Sequence, residues 1–125
     1  MIKPLKEFPL MSRYKKVFPD IDENTVIAYD GDIYSNKDLP DHLLIHEEEH
    51  LRQQEEIGLE KWVEQFLFDV NFRLNMEIHA YQVQIKSVKD RNKRYRIAVQ
   101  SAELLASSLY GNIININDAL KLITK

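Results

Sequence analysis

The sequence predicts a small α+β domain in which a helical bundle dominates and packs beside an N-terminal β-hairpin. Apolar residues recur at three- and four-residue steps over much of the chain after residue 40, as in amphipathic helices. Before them, β-branched and aromatic residues surround a tight-turn pair in "TVIAYDGDIYS", as in a hairpin. A length of 125 residues suits one domain. We therefore expect residues 1–125 to form a single domain.

Composition excludes several classes of protein and site. The chain has no Cys, which excludes disulfide scaffolds, thiolate zinc sites and cysteine nucleophiles. A formal net charge of −3 gives no indication of nucleic-acid binding. Three prolines interrupt the first 20 residues, so neither a signal peptide nor a membrane span is expected there. These features predict a cytoplasmic protein with no nucleic-acid or membrane partner. They predict no particular oligomeric state.

The N-terminal part is expected to be irregular chain followed by the hairpin. Residues 1–20 show no regular pattern but contain apolar residues that we expect to anchor them to the domain: Phe8, Leu10, Val17 and Phe18. Residues 26–29 and 32–35 read as two strands, because Asp30-Gly31 between them is a strong signal for a two-residue turn.

Four helices are predicted from apolar spacing and from start and stop signals. Asp38 is expected to cap the first helix and Gly58 to end it, while Gly111 ends the third and Asn115 or Asn117 caps the last. The expected helices cover about residues 40–57, 59–88, 94–109 and 116–125.

The segment "LLIHEEEHLRQQ" carries the strongest chemical signal. Residues four apart lie one turn apart on the same helix face, so His46 and His50 can bind one ion together. Glu47 is placed to reach a water at such an ion, which is the H-E-x-x-H arrangement of two ligands and a general base. Glu48 and Glu49 are expected to face solvent. The alternative is an ordinary solvated helix face with two uninvolved histidines.

A catalytic zinc usually has three protein ligands, so another element has to supply a third. Glu77 is the candidate, because it lies at the edge of an apolar helix face beside Leu74, Ile78 and Tyr81. A carboxylate directed towards a core requires a partner, and a zinc ion would be one. An ion pair with Arg73 one turn earlier, or an exposed position, is equally open at this point.

Together these motifs resemble a known family. "HEEEHLRQQ", the aromatic stretch "KWVEQFLF" and "EIHAY" resemble the small single-domain gluzincin-type zinc metallopeptidases, the minigluzincin-like HExxH proteins of phages, prophages and some microbes. In that family a second helix carries E-x-x-A-Y, whose Glu is the third ligand, and Glu77, Ala80 and Tyr81 fill that pattern. The predicted hairpin is similar to the part of the family's fold that contains the strand bordering the substrate. The resemblance covers about residues 25–84 and implies a zincin-like fold.

The resemblance implies a zinc-dependent peptidase that acts on a protein or peptide substrate. His46, His50 and Glu77 would hold Zn²⁺, and Glu47 would act as the general base for the attacking water. Candidates for an additional donor to the oxyanion are Tyr81, Tyr110, Tyr95 and His79, in that order of preference. The hairpin strand is expected to pair with the substrate backbone.

Two alternatives remain open at this stage. One is a latent or inactive module that keeps zinc as a structural or interaction site, with a terminal segment covering the cleft. The other is a metal-free helical interaction protein that uses the basic run "KDRNKRYR" on an acidic partner.

Other residues with suggestive chemistry are expected to have structural roles. His42 is expected to lie near the site or on the surface, because it is one turn too far along the helix to join the pair. Aromatic and leucine residues at helical spacing are more often core than pocket. We apply this expectation to Trp62, Phe66, Phe68, Leu104, Leu105 and Leu109.

Overall fold

A computed structural model describes all 125 residues and has an α+β architecture with six α-helices and one three-stranded sheet. The helices dominate, as predicted. They are α1 (Met11–Val17), α2 (Asp41–Ile57), α3 (Leu59–Phe68), α4 (Val70–Ser87), α5 (Arg91–Leu105) and α6 (Ile116–Ile123). None of them has the length and apolar character needed to cross a bilayer.

The predicted hairpin is confirmed. Strands β2 (Ile27–Tyr29) and β3 (Asp32–Tyr34) pair antiparallel around a two-residue turn. Asp30 and Gly31 both have positive φ, 49° and 84°, which is the geometry that favours an Asp-Gly pair in such turns. The hairpin is therefore specified by its turn as well as by its β-branched and aromatic residues.

The expectation that residues 1–20 are irregular is wrong. Ile2–Lys3 form strand β1, which pairs in parallel with β3 so that the sheet order is β1-β3-β2. Residues 5–7 form a 3₁₀ turn, and α1 follows. A two-residue strand has no detectable period, and its hydrogen bonds come from a partner about 30 residues later in the chain.

The single helix predicted over residues 59–88 is two helices separated by Asp69. Its backbone is extended, with φ −118° and ψ 102°, and its side chain accepts a hydrogen bond from the backbone N–H of Phe72. The apolar spacing continues across the break, whereas the N-cap that starts a new helix is one residue with a short acidic side chain. Asp69 thus ends α3 and caps α4.

Smaller differences concern helix ends. Pro40, rather than Asp38, is the N-cap residue of α2, and Gly58 ends the helix as predicted with φ 105°. Helix α5 begins at Arg91, three residues earlier than expected, because the Asp90 side chain accepts from two backbone N–H groups there. It ends at Leu105, and a separate 3₁₀ turn precedes Gly111. Asn115, one of the two candidates, caps α6.

The interior consists of two apolar clusters. The N-terminal cluster joins the first 20 residues, the sheet and α3, and contains Leu5, Phe8, Tyr14, Ile27, Tyr34, Trp62, Val63 and Leu67. The C-terminal cluster joins α4, α5 and α6, and contains Leu74, Ile78, Ile85, Ala98, Ala102, Leu105, Tyr110, Ala119 and Ile123. The extensive packing of α2 against α4 places the paired histidines next to both.

Arg73 links the two clusters. Its guanidinium donates to the carbonyls of Phe66 and Leu67 at the end of α3 and to the carbonyl of Leu109 after α5, at 2.7, 2.7 and 2.9 Å. It also lies over the ring of Phe18, 4.8 Å from the centroid. Because it makes these contacts, Arg73 does not form the ion pair with Glu77 that was one sequence-based alternative.

Candidate metal centre and cleft

Helices α2 and α4 bring together the three residues predicted to hold a metal. Nε2 of His46 and Nε2 of His50 lie 3.1 and 2.7 Å from Oε1 of Glu77. One ligand atom from each residue can be chosen so that all three lie within 4.8 Å of one another. Both histidines are buried, and the side chain of Glu77 is 12% exposed. This group could bind a metal ion.

Two buried glutamines determine how the imidazoles are oriented. Nδ1 of His46 donates to Oε1 of Gln84 at 2.9 Å, and Nδ1 of His50 donates to Oε1 of Gln53 at 3.0 Å. An amide oxygen accepts only, so each Nδ1 carries the hydrogen and each Nε2 points at the shared centre. Hydrogen bonds of this type are typical of metal-ligating histidines.

The two glutamines are themselves held in place. Gln53 also accepts from the indole N–H of Trp62 at 3.2 Å and donates to the backbone carbonyl of Met76 at 3.1 Å. Gln84 donates to Nδ1 of His42 at 2.8 Å. Of the two placements expected for His42, near the site or on the surface, the first is found, and His42 does not join the ligand pair. Neither glutamine was identified from the sequence, although both lie on the buried stripe of their helices.

The histidines and Glu77 have the electrostatics of a buried ion pair. Burial raises the pKa of Glu77, but the charge of the nearby His50 and the contacts of the carboxylate with both imidazoles outweigh it and hold that pKa well below its ordinary value. Burial lowers the pKa of His50, but Glu77 outweighs it and raises that pKa to about 9. A carboxylate and an imidazolium thus neutralise each other where a cation would otherwise do so.

The donor set fits a divalent transition metal. Two imidazole nitrogens and one carboxylate oxygen are suited to zinc rather than to calcium or magnesium, which take oxygen ligands. Both imidazole nitrogens lie within 3.1 Å of the Glu77 carboxylate, so the three side chains would hold the ion between them. A small separation of α2 and α4 side chains would accommodate the ion.

Glu47 borders the same site. Its Oε2 lies 4.0 Å from Nε2 of His46, and its side chain is 12% exposed. Burial raises the pKa of Glu47, while both histidines lower it. Glu48 is exposed as expected, but the expectation that Glu49 faces solvent is wrong, because its side chain is only 11% exposed and pairs with Arg52.

The four candidate oxyanion donors separate into two groups. Tyr81 packs edge-on against His46 with ring centroids 4.6 Å apart, borders the cleft, and has no hydrogen-bonded partner within the protein. The Tyr110 hydroxyl donates to Oε2 of Glu77 at 2.8 Å and orients that carboxylate instead. His79 is exposed, and Tyr95 lies in a different groove. Of these four candidates, Tyr81 alone lines the cleft with a hydroxyl that has no hydrogen-bonded partner.

A cleft of about 370 Å³ opens onto Glu47, Glu77 and the two histidines. Pockets of this volume accommodate small-molecule or side-chain ligands. Its walls are mostly apolar, and they come from the N-terminal segment, β2, α3, the end of α5 and the 3₁₀ turn that follows it. The apolar wall residues include Phe18, Ile21, Val26, Ile27, Phe66, Leu104 and Leu109. No residue of α6 lines the cleft, so the C-terminal segment does not cover it.

The expectation that six aromatic and leucine residues form core holds for two of them. Trp62 and Leu105 are almost completely buried. Leu104 and Leu109 are 42% and 38% exposed and form part of the cleft wall. Phe66 is half-buried and also lines the cleft, while Phe68 is 68% exposed. Helical spacing alone does not distinguish a residue that faces the core from one that faces a cleft beside it.

Strand β2 is at the edge of the sheet and borders the cleft. Gln54 donates to the carbonyl of Ala28 and accepts from the backbone N–H of Asp30. These two backbone groups are already bonded to α2, so substrate pairing would be restricted to the first part of the strand.

Comparison of the chain with models of known families, with curated proteins and with solved structures finds no match. A function for this protein therefore has to be inferred from its own residues.

Proposed function

We propose that the protein is a zinc-dependent peptidase that hydrolyses peptide bonds in a protein or peptide substrate. The observation that supports this proposal most strongly is the convergence of His46, His50 and Glu77, from two helices, beside Glu47 in one cleft. A zinc ion held there would lower the pKa of a water and polarise a carbonyl group.

Glu47 has the position and the electrostatics of a general acid–base group. It takes a proton from the attacking water and gives it to the leaving amine. Burial raises the pKa of the Glu47 carboxyl, which brings the group closer to the neutral range where it can both accept and return a proton.

Tyr81 supplies the hydrogen bond to the oxygen of the scissile carbonyl. Its ring is fixed against His46, and its hydroxyl has no partner within the protein, so a donor is available at the cleft without breaking another bond. Tyr110 does not serve this role, because its hydroxyl is bonded to Glu77.

The second candidate is a module that binds zinc for stability and cleaves nothing. The connections of the ligands to both apolar clusters favour it, since an ion there would tie the two parts of the fold together. It differs from the peptidase in having no requirement for Glu47.

The decisive experiment compares Glu47→Gln with Glu48→Gln, which makes the same change of charge one residue away at an exposed position. Zinc content is measured by elemental analysis, and cleavage is measured with a quenched fluorescent peptide library. We expect Glu47→Gln to retain about one zinc per chain and to lose turnover by roughly 10²–10⁴-fold. Glu48→Gln should match the unmodified protein in both measurements.

Three other outcomes have definite meanings. Equal cleavage by both variants would exclude Glu47 as the base. Zinc at one equivalent without cleavage by any form, including the unmodified protein, would favour the structural module. Retention of zinc by a His46→Ala/His50→Ala variant would exclude the proposed ligand set.

A further inference from the structure

A second groove lies at the far end of the helical bundle, outside the metal site. It has a volume of about 440 Å³ and is formed by the end of α4, the start of α5 and the end of α6. Four of the nine residues that line it are basic, and none is acidic. The basic residues are Lys86, Arg91, Arg94 and Lys125.

Charge is strongly concentrated around this groove. Residues 86–96 contain six basic residues and one acidic residue, a net charge of +5 in a chain whose total is −3. The remainder of the chain therefore carries −8. The single acidic residue of the segment, Asp90, is committed to the backbone N–H groups of Asn92 and Lys93 as the cap of α5.

The cations of the groove have no anionic side chain as a partner. None of the ion pairs in the protein includes Lys86, Arg91 or Lys125. Arg94 donates to the backbone carbonyl of Val88 and likewise has no carboxylate side chain as an ion-pair partner. Several like charges held at one groove repel each other, and an anionic ligand would relieve that repulsion.

An aromatic ring stands among these cations. Tyr95 lines the groove and is 64% exposed. Behind it, Ile85, Ala98 and Ile123 form a floor that is itself buried in the C-terminal cluster. The surface available to a ligand thus combines one aromatic face with the aliphatic stems and charged ends of lysine and arginine.

We propose that this groove binds an acidic segment of a partner protein, with an apolar side chain of that segment packed on Tyr95. The cations select the acidic residues, and the ring selects a neighbouring apolar residue. The site is separate from the metal centre, since Ile85 is eight residues beyond Glu77 on α4, about 12 Å along the helix axis.

A peptide is favoured over a nucleic acid by two features. Proteins that bind single strands use several aromatic rings on which successive bases stack, and this groove has one. A long polyanion would also extend beyond the groove onto the rest of a chain whose residues outside 86–96 sum to a net charge of −8. A short acidic segment avoids that surface.

The test uses fluorescence anisotropy with a labelled peptide of six glutamates around a central phenylalanine. The groove variant is Lys86→Gln/Arg91→Gln/Lys125→Gln. The control is Lys6→Gln/Lys15→Gln/Lys16→Gln, which removes the same charge from exposed lysines elsewhere that have no ion pairs. We expect binding to weaken about tenfold or more in the groove variant and less than about twofold in the control.

Two further probes sharpen the result. Serine in place of the central phenylalanine should weaken binding of the peptide to the unmodified protein by several fold, because the contact with Tyr95 is lost. Equal losses in the groove and control variants, or tighter binding of an octamer of thymidine nucleotides than of the peptide, would overturn the proposal, as would no binding of the peptide. None of these outcomes depends on whether the metal site is active.

Discussion

The two apolar clusters differ in composition, in the range of their contacts and in the part of the metal site that they hold. The N-terminal cluster is rich in aromatic residues from segments distant in the chain, and it reaches His50 through Trp62 and Gln53. The C-terminal cluster is mainly aliphatic and helical, and it orients Glu77 directly through Tyr110. The candidate ligands are therefore positioned from both sides, and a change in either cluster should be detectable at the metal.

The largest expected effect comes from removing Arg73, the residue that links the clusters. Arg73→Met keeps the aliphatic stem but leaves the carbonyls of Phe66, Leu67 and Leu109 without this donor. Carbonyls left without a partner in a buried place are costly, so we expect a loss of roughly 3 kcal/mol in the free energy of unfolding. Urea denaturation measures it.

Arg94→Met is the matched control, because Arg94 makes one hydrogen bond, to the carbonyl of Val88, at a partly exposed place. Its expected loss is under about 1 kcal/mol. Equal losses in the two variants would show that Arg73 does not link the clusters.

The next effect compares the two orienting glutamines. Gln53→Leu and Gln84→Leu each remove the acceptor for one Nδ1 hydrogen, and we expect each to weaken zinc binding by about 10- to 100-fold in competition with a chromophoric chelator. Gln53→Leu should also reduce stability more, since Trp62 and the carbonyl of Met76 lose their partner.

Gln100→Leu, at an exposed position on α5, is the control and should bind zinc normally. Unchanged zinc affinity in both buried variants would show that the two glutamines do not orient the histidines.

A smaller effect is the pH dependence of zinc binding, which comes from the proton on His50. Glu77 raises the pKa of His50 to about 9, so near pH 7 the metal-free protein holds a proton that an ion has to displace. We expect about one proton to be released per zinc bound. Apparent affinity should rise up to about tenfold per pH unit as the pH rises towards 9.

The folding stability of the protein without metal depends on pH in the opposite direction to its zinc affinity. The raised pKa of His50 contributes stability that is present below its unfolded value and is lost as the pH rises through about 9. Calorimetry in two buffers of different ionisation enthalpy measures the released proton. A binding enthalpy that is independent of the buffer would contradict the His50–Glu77 ion pair.

The smallest expected effect is the change in stability when a helix cap next to the C-terminal cluster is removed. Hydrogen bonds from the backbone N–H groups of Lys93 and Asn92 lower the pKa of Asp90. The stability that the ionised Asp90 contributes is present above the ordinary pKa of an aspartate and is lost as the pH falls through the lowered pKa. The stability difference between the unmodified protein and Asp90→Ala should therefore shrink below about pH 4.

Asn115→Ala removes a cap of α6 that does not titrate, so its stability difference should show no corresponding decrease. Thermal unfolding at a series of pH values compares the two. Parallel curves would show that the charge of Asp90 contributes nothing to the cap.

The sequence could predict the elements that have local signals, but not those that depend on a distant partner. The hairpin, α2, α5 and α6 have local signals such as the turn pair at Asp30 and Gly31, and their existence is confirmed. Strand β1 depends on pairing with β3, which no local pattern indicates. At the site, the spacing of His46 and His50 predicts a shared centre. The role of Gln84 depends on which polar side chain α4 directs towards α2.

The single residue between α3 and α4 has a consequence for how the protein can change over evolution. Each residue of an α-helix turns the chain by about 100°, so an insertion inside α4 ahead of Glu77 would swing that carboxylate away from α2. Because Asp69 is the only residue between α3 and α4, there is no loop before α4 that could accommodate such an insertion. We expect changes in length to be tolerated in the turns beyond α4 and excluded between residues 69 and 77.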